Sequence, residues 1–335
     1  MKNKYVFVVI MLGLILLVGM GLTSVYVHQT TQEQEETDLT VVTSFYPMYI
    51  AASNVIGEAD GVRLENLSEP QTGCLHDFQL TPEDMKLLST ADVFIINGGG
   101  IESFMKEVAA AYPDLKIIEA CENTLLLTEA GEEDHDHDHE EAHTGQHEDN
   151  EETSAHEDHD HGDVNAHAWM SVAAYETQVQ TIAEELEKAD TVRSQIYQEN
   201  AASYLEKLDV LKERQTKLKE ELSGQSVVLF HEAYAYVAED YGLNVKYVLD
   251  LDEERQVSAG EVSDVLSAIR QDDVHVILAE ELYGKSMGDT VKKEAEVSVL
   301  YLDPLNRGDY DKDSYINGMT KNMDILEEAF HAKDY

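Results

Sequence analysis

Short apolar runs alternate with amphipathic stretches along most of this chain, and the alternation occurs in two blocks. In the first block, residues 39–120, four runs rich in Val, Ile and Leu are separated by stretches with apolar residues at helical spacing. The second block, residues 223–335, contains four more such runs. Strands that alternate with helices favour parallel sheets. We therefore predict an α/β fold with two lobes, each built on a four-stranded, mainly parallel sheet flanked by helices.

About fifty residues with almost no turn signals join the two blocks, at residues 172–222. Their pattern predicts two consecutive helices that break near Asp190. The second of these has a heptad-like pattern, but three heptads are marginal for a coiled coil, so a spine between the lobes is favoured. The predicted divisions are an anchor or signal at 1–26, a tether at 27–38, an N-terminal lobe at 39–171, linking helices at 172–222 and a C-terminal lobe at 223–335.

Several element ends are marked by local signals. Thr81 is placed to cap a helix whose first residue is Pro82 and whose third is Asp84. We expect the first strand to end at Pro47, and we expect the first helix of the second block to begin at His231.

The amino terminus predicts export. Lys2 and Lys4 precede an uncharged apolar run at residues 5–22, which begins like a secretory signal and is long enough for a membrane span. The positive flank should stay inside, so everything after it is expected to be extracytoplasmic. We favour an uncleaved anchor that tethers the protein to the outer face of the cell membrane, with a cleaved signal as the alternative.

Histidine and acidic residues are concentrated at residues 132–161, where eight of thirty residues are His and fourteen are acidic. This composition cannot bury enough apolar surface to offset the entropy of ordering, so we expect a solvated, disordered loop within the N-terminal lobe. Closely spaced His and carboxylate groups capture borderline metals, zinc first. We interpret the loop as an accessory, low-affinity metal collector or a zinc sensor rather than an ordinary acidic linker, with these candidate ligands: His135, His137, His139, His143, His147, His156, His159 and His161.

The formal net charge of −45 favours cations as ligands and argues against nucleic acid as a partner. Two cysteines, Cys74 and Cys121, are too few for a disulfide scaffold or a thiolate zinc site. One bridge between them is compatible with an extracytoplasmic location, and the sequence leaves this open.

Three histidines and one carboxylate come at or near the ends of predicted strands. His76 lies in the loop after the second strand, His167 precedes the linking helices, and His231 directly follows the strand SVVLF. Asp303 follows the last strand, and Glu280 at the end of VILA is an alternative carboxylate. Ligands collect at the carboxyl ends of parallel strands, and three imidazoles with one carboxylate can close a tetrahedral metal site.

The common enzyme motifs that this sequence partly matches are incomplete. HEAYA begins like the zinc-protease motif HExxH, but position 235 is Ala, and the NGGG stretch lacks the Lys-Ser/Thr of a phosphate-binding loop. We therefore expect no enzyme. A metallohydrolase would need a general base beside an open coordination position, for which Glu232 and Glu280 are the candidates.

Several blocks follow one another along the chain from residue 39 onward: VVTSFYPMY, GCLHDFQLTPEDM, ADVFIINGGGIESF, NAHAWMS, FHEAYAYVAEDYGL, LDPL and DSYINGMTKNMDIL. By these blocks, in this order, the chain resembles the zinc and manganese class of ABC-transporter substrate-binding proteins. The resemblance implies two α/β lobes joined by one long helix, with the metal in the cleft between them. By motif match it also implies these ligands: His76, His167, His231 and Asp303.

Two departures from the family pattern accompany this resemblance. No cysteine follows the apolar segment to carry a lipid, and NAHAW stands where the family commonly has Asp-Pro-His. His231, where related proteins can have Glu, favours zinc over manganese because imidazole suits zinc. A His-rich acidic loop just before the second ligand is typical of the zinc-handling members.

The sequence as a whole predicts a monomeric, extracytoplasmic protein that captures Zn²⁺ and delivers it to an ABC permease with its ATPase. The alternatives are a manganese-binding member of the same family, with Mn²⁺ as the ligand, and a surface metal buffer or adhesion protein in which the His-rich loop is the functional part.

Overall fold

The structure is a computed structural model that describes residues 38–72, 76, 78–128, 164–251 and 255–331. The predicted anchor, the tether up to residue 37 and the His-rich loop therefore lie outside the described residues. Within those described ranges, none of the helices combines the length and apolar character that a membrane span needs.

The first block forms a parallel four-stranded sheet, as predicted, in the order β2-β1-β3-β4. Its two central strands are fully buried. A short antiparallel pair, β5 and β6, follows at the edge of this block. The elements are β1 Leu39–Thr43, α1 Tyr46–Ile56, β2 Val62–Asn66, α2 Pro82–Leu88, β3 Val93–Ile96, α3 Met105–Ala111, β4 Lys116–Glu119, β5 Leu127–Thr128 and β6 Val164–Asn165.

Two linking helices, α4 Val172–Ala189 and α5 Ser194–Leu222, occupy the residues predicted for the spine. They break at Asp190, whose carboxylate accepts hydrogen bonds from Arg193 and from Tyr197 Oη, each at 2.9 Å. Helix α5 packs against α1 of the first block and against two helices of the second block. The linking region therefore contacts both blocks.

The second block forms another parallel four-stranded sheet, in the order β10-β9-β7-β8. The predicted fold class is confirmed, with both sheets entirely parallel. The elements of this block are β7 Ser226–Leu229, α6 Tyr234–Tyr241, β8 Asn244–Val248, α7 Ala259–Gln271, β9 Val276–Ala279, α8 Glu281–Glu294, β10 Ser298–Tyr301 and α9 Ser314–His331.

Two predicted element ends were wrong. The first strand ends at Thr43, and Pro47 instead lies in the first turn of α1, where a residue without an N–H group is tolerated. Helix α6 begins at Tyr234 rather than His231. His231 and Glu232 consequently lie in the loop after β7, with side chains that are not constrained by helical spacing.

The predicted cap of α2 is confirmed. Thr81 Oγ1 accepts the Asp84 N–H, and Asp84 Oδ2 accepts the Thr81 N–H at 2.8 Å. This reciprocal pair satisfies two backbone donors that the helix itself leaves without partners. The start of α2 is therefore determined locally, a few residues after His76.

Cys121 is buried and has no disulfide partner among the described residues. Its sulfur accepts a hydrogen bond from Gln178 Nε2 at 3.0 Å, and burial raises the pKa of the thiol to about 12. The other cysteine, Cys74, lies outside the described residues.

Candidate metal site

One group of three side chains in the described part of the chain has the donor atoms and spacing for a metal ion. His76, His167 and Glu232 each offer one ligand atom, and these atoms all lie within 4.8 Å of one another. Nε2 of His76 is 3.4 Å from Nε2 of His167. Two nitrogens bound to one tetrahedral zinc at about 2.0–2.1 Å would lie roughly 3.3–3.4 Å apart. The observed spacing is therefore that of one edge of a zinc coordination shell.

His167 is held against the first sheet by the short strand that precedes it. Asn165 in β6 pairs with Leu127 in β5, and Asn97 Nδ2, at the end of β3, donates to the Ala166 carbonyl at 2.9 Å. The His167 side chain is completely buried. These contacts place a fully buried imidazole at the carboxyl edge of the first sheet, where parallel strands collect ligands.

Burial has an electrostatic consequence for His167. Loss of water contact, with a smaller effect from the His76 ring, lowers the pKa of His167 from 6.5 to about 3. The ring is therefore neutral throughout the mildly acidic and neutral range. Since a metal ligand must be an unprotonated imidazole, His167 needs no deprotonation to bind a cation there.

His76 comes from the loop between β2 and α2 and is half-buried. The ring of Phe78, two residues on, packs 5.6 Å from the ring of Phe104, next to α3. Together with the cap of α2, this contact holds the chain on the carboxyl-terminal side of His76.

The second block supplies His231 and Glu232 to the same place. Leu229 in β7 pairs with Leu278 in β9, and the loop leaves the sheet one residue later. The His231 ring lies 4.9 Å from the His167 ring at an interplanar angle of 83°. Oε1 of Glu232 is 3.3 Å from Nδ1 of His167. The two blocks therefore meet at His167.

The two other predicted carboxylates have different contacts. Asp303 Oδ1 accepts the Leu305 N–H at 2.9 Å, while its backbone N–H and carbonyl bond the side chain of Asn322 at 2.7 and 2.8 Å. It lines a cavity of about 480 Å³. Glu280 Oε1 lies 2.5 Å from Nη2 of Arg307. Among the described residues neither joins the group within 4.8 Å, and nor does His231.

The ligand set of His76, His167, His231 and Asp303 therefore stays a prediction, as does the alternative Glu280. The accessory histidines of residues 132–161 lie outside the described residues. Glu232 was singled out in the sequence only as a general-base candidate. The signal that it belongs to the site was its position directly after His231.

A family model described as "ZnuA: Zinc-uptake complex component A periplasmic" matches residues 41–329, which covers every residue of this site and both sheets apart from the first two residues of β1. The chain belongs to this family. The ZnuA-family assignment also agrees with the motif blocks and the proposed architecture of two lobes joined by long helices.

Individual relatives of this ZnuA-family chain support the assignment. It is 30% identical over 324 residues to the zinc-binding protein AdcA of Streptococcus pyogenes, which covers 93% of this chain and 60% of that relative. The chain thus spans about 60% of the length of this streptococcal relative. It is 26% identical to the high-affinity zinc uptake system protein ZnuA of Bacillus subtilis, over 88% of each chain.

A solved structure with the same fold is that of the substrate-binding protein FpvC from Pseudomonas aeruginosa in complex with Mn²⁺. The match has a TM-score of 0.71 and 26% sequence identity, and it covers 88% of this chain and 98% of that one.

Proposed function

We propose that this protein is the extracytoplasmic zinc-binding component of an ABC uptake system, which captures Zn²⁺ and delivers it to a permease driven by an ATPase. The observation that carries the proposal is the 3.4 Å separation of the Nε2 atoms of His76 and His167. Family membership supports the transport role, and the names of two relatives refer to zinc.

The donor set favours zinc. His76 and His167 offer nitrogen, and the ring of His231 lies beside His167. Imidazole suits zinc, whereas manganese sites are dominated by oxygen. A carboxylate completes the shell, and two candidates differ in their support: Glu232 because one of its oxygens lies within 4.8 Å of ligand atoms of both His76 and His167, and Asp303 by its motif.

Delivery of a metal ion makes and breaks no covalent bond of a substrate. We therefore propose a binding protein that is not an enzyme. We further propose that it works as a monomer, tethered to the outer face of the cell membrane by residues 5–22. Because α5 packs against both blocks, we expect release by small local shifts at the site rather than by a wide opening.

The test is a zinc titration of the purified, metal-free full-length protein in competition with a chromophoric chelator. The expected result is one zinc bound much more tightly than micromolar, with Mn²⁺ displaced by Zn²⁺. Preference for Mn²⁺ would assign the manganese alternative, and the absence of binding tighter than micromolar would overturn the proposal.

Anomalous diffraction at the zinc edge then identifies the carboxylate. Glu232→Gln and Asp303→Asn provide the matching affinity comparison, because each retains side-chain size while removing the charge. The carboxylate that ligates zinc is the one whose amide variant binds more weakly.

A further inference from the structure

Asn165 lies where the two blocks and His167 meet, and its side chain is completely buried. Its Oδ1 accepts the backbone N–H of His167 at 3.0 Å and lies 2.9 Å from Nδ1 of the same residue. Its Nδ2 donates to the Glu232 carbonyl at 2.8 Å. Both the oxygen and the NH₂ group of this amide therefore contact residues of the candidate site, although Asn165 is not among the proposed metal ligands.

The orientation of the amide follows from two backbone groups. The His167 N–H can only donate, so the Asn165 atom facing it must be the oxygen. The Glu232 carbonyl can only accept, so the atom facing it must be the NH₂ group. Contacts from the two blocks thus require the same single orientation of the side chain.

This orientation determines the tautomer of His167. Because Oδ1 of Asn165 has no proton to donate, the proton between it and the ring must be on Nδ1 of His167. A neutral imidazole has one protonated nitrogen, so the lone pair is on Nε2. That is the atom 3.4 Å from Nε2 of His76.

We propose that Asn165 is a positioning residue that fixes the Nδ1–H tautomer of His167 and ties the loop carrying Glu232 to strand β6. Glu232 Oε1 also faces Nδ1, but at 3.3 Å rather than 2.9 Å. Asn165 is therefore the principal acceptor. The same side chain orients the lone pair of His167 and restrains the loop that carries His231 and Glu232.

The consequence for metal binding rests on the proposed function. Partners that orient a ligating histidine typically contribute about 10- to 100-fold to metal affinity. The Asn165→Asp change separates the two tasks, because it retains an acceptor for His167 but removes the donor to the Glu232 carbonyl. Asn165→Ala removes both.

The first experiment needs no metal. Nitrogen-15 NMR of the imidazoles in the metal-free full-length protein should show His167 as the Nδ1–H tautomer. We expect Asn165→Ala to lose this preference, and we expect Asn165→Asp and Glu232→Ala to keep it. Retention of the tautomer in Asn165→Ala, or its loss in Glu232→Ala alone, would overturn the assignment.

The second experiment measures zinc affinity by chelator competition. Asn165→Ala should bind about 10- to 100-fold more weakly than wild type, with part of the loss recovered in Asn165→Asp. Asn200→Ala is the matched control, because Asn200 donates to the Val55 and Ile56 carbonyls away from the site. It should lose stability but keep wild-type affinity.

The outcomes separate the two proposals. Wild-type affinity in Asn165→Ala, or an equal loss in Asn200→Ala, overturns the positioning role even if the protein binds zinc. If wild type binds no zinc, the proposed function fails, and the tautomer measurement still decides the role of Asn165.

Discussion

Nε2 of His76 lies 3.4 Å from Nε2 of His167, although 91 positions separate these residues in the chain. Two imidazole nitrogens at this distance can share one proton or bind the same cation. Because burial keeps the pKa of His167 at about 3, no positive charge on that ring opposes a cation in the neutral range. The pair is the structural centre of the proposed zinc site.

Loss of either imidazole should abolish tight zinc binding. His76→Ala and His167→Ala are each expected to weaken binding by about 100-fold or more, because even a partner of a ligating histidine is worth 10- to 100-fold. Chelator competition measures this. His275→Ala is the control, since that ring is largely exposed and lies beside Asp273. An unchanged affinity in either test variant would remove that residue from the site.

Zinc binding should change the intrinsic fluorescence of Trp169. This is the single tryptophan of the chain, and its ring lies 5.1 Å from the His167 ring. Its indole N–H donates to the Pro304 carbonyl at 2.9 Å, one residue after Asp303. We expect an emission change that saturates at one zinc per protein and is absent in His167→Ala. A fluorescence change of equal size in that variant would show that the signal comes from elsewhere.

Stability should depend on pH through Glu102, whose pKa burial raises from 4.5 to about 7. Hydrogen bonds from Ser44 Oγ and the backbone N–H groups of Asn97 and Gly98 oppose this shift but do not cancel it. Between these two pKa values the folded state holds a proton that the unfolded state releases. The free energy of unfolding therefore falls as pH rises through this window.

The effect is measured by comparing wild type with Glu102→Gln in denaturant unfolding at about pH 5 and about pH 8. Wild type should lose about 2.5 kcal/mol relative to the variant between these conditions, at 1.36 kcal/mol per unit of pKa shift. The slope with pH is the readout, since the amide also changes hydrogen bonds at every pH. A constant difference would contradict the raised pKa.

Arg307 should stabilise the fold through Glu280. The Glu280 side chain is 6% exposed and that of Arg307 21%, so Arg307→Met takes a guanidinium away from a mostly buried carboxylate. We expect a loss of about 2 to 3 kcal/mol, below the usual range for fully buried pairs because Arg307 retains some solvent contact. Denaturant unfolding measures this.

Lys285→Met provides the comparison for Arg307, because Lys285 pairs with Glu281 where both side chains are more than half exposed. Exposed pairs contribute little, so this variant should unfold close to wild type. Equal effects of the two substitutions would show that burial of the Arg307 pair is not what stabilises it.

Deletion of residues 132–161 should leave the tight site intact. A solvated His-rich segment binds metal only by paying the entropy of ordering each time, so its sites are expected to be weak. Zinc titration of the deletion variant should show one tight equivalent and no additional weak ones. Loss of the tight equivalent would instead place it in the deleted segment.

The sequence was sufficient to predict structural features that depend on residues close to one another in the chain. The cap at Thr81 and the break at Asp190 depend on neighbours within a few residues, and both were predicted. The eight strands of the two sheets were predicted from their local apolar runs, although the end of the first was wrong. The start of α6 at Tyr234 was not predicted, because the helical spacing of apolar residues extends back to His231. In the structure His231 belongs instead to the loop after β7.

The sequence by itself determined the two parallel sheets, the linking helices and the histidines that stand at strand ends. Tertiary structure alone decided which of these groups are neighbours. It brought Glu232 to His167, paired Glu280 with Arg307, and placed Asn165 between the blocks. The reason is physical: hydrophobic periodicity specifies which face of an element is buried, whereas contacts between side chains far apart in sequence depend on how the loops of two separate sheets meet.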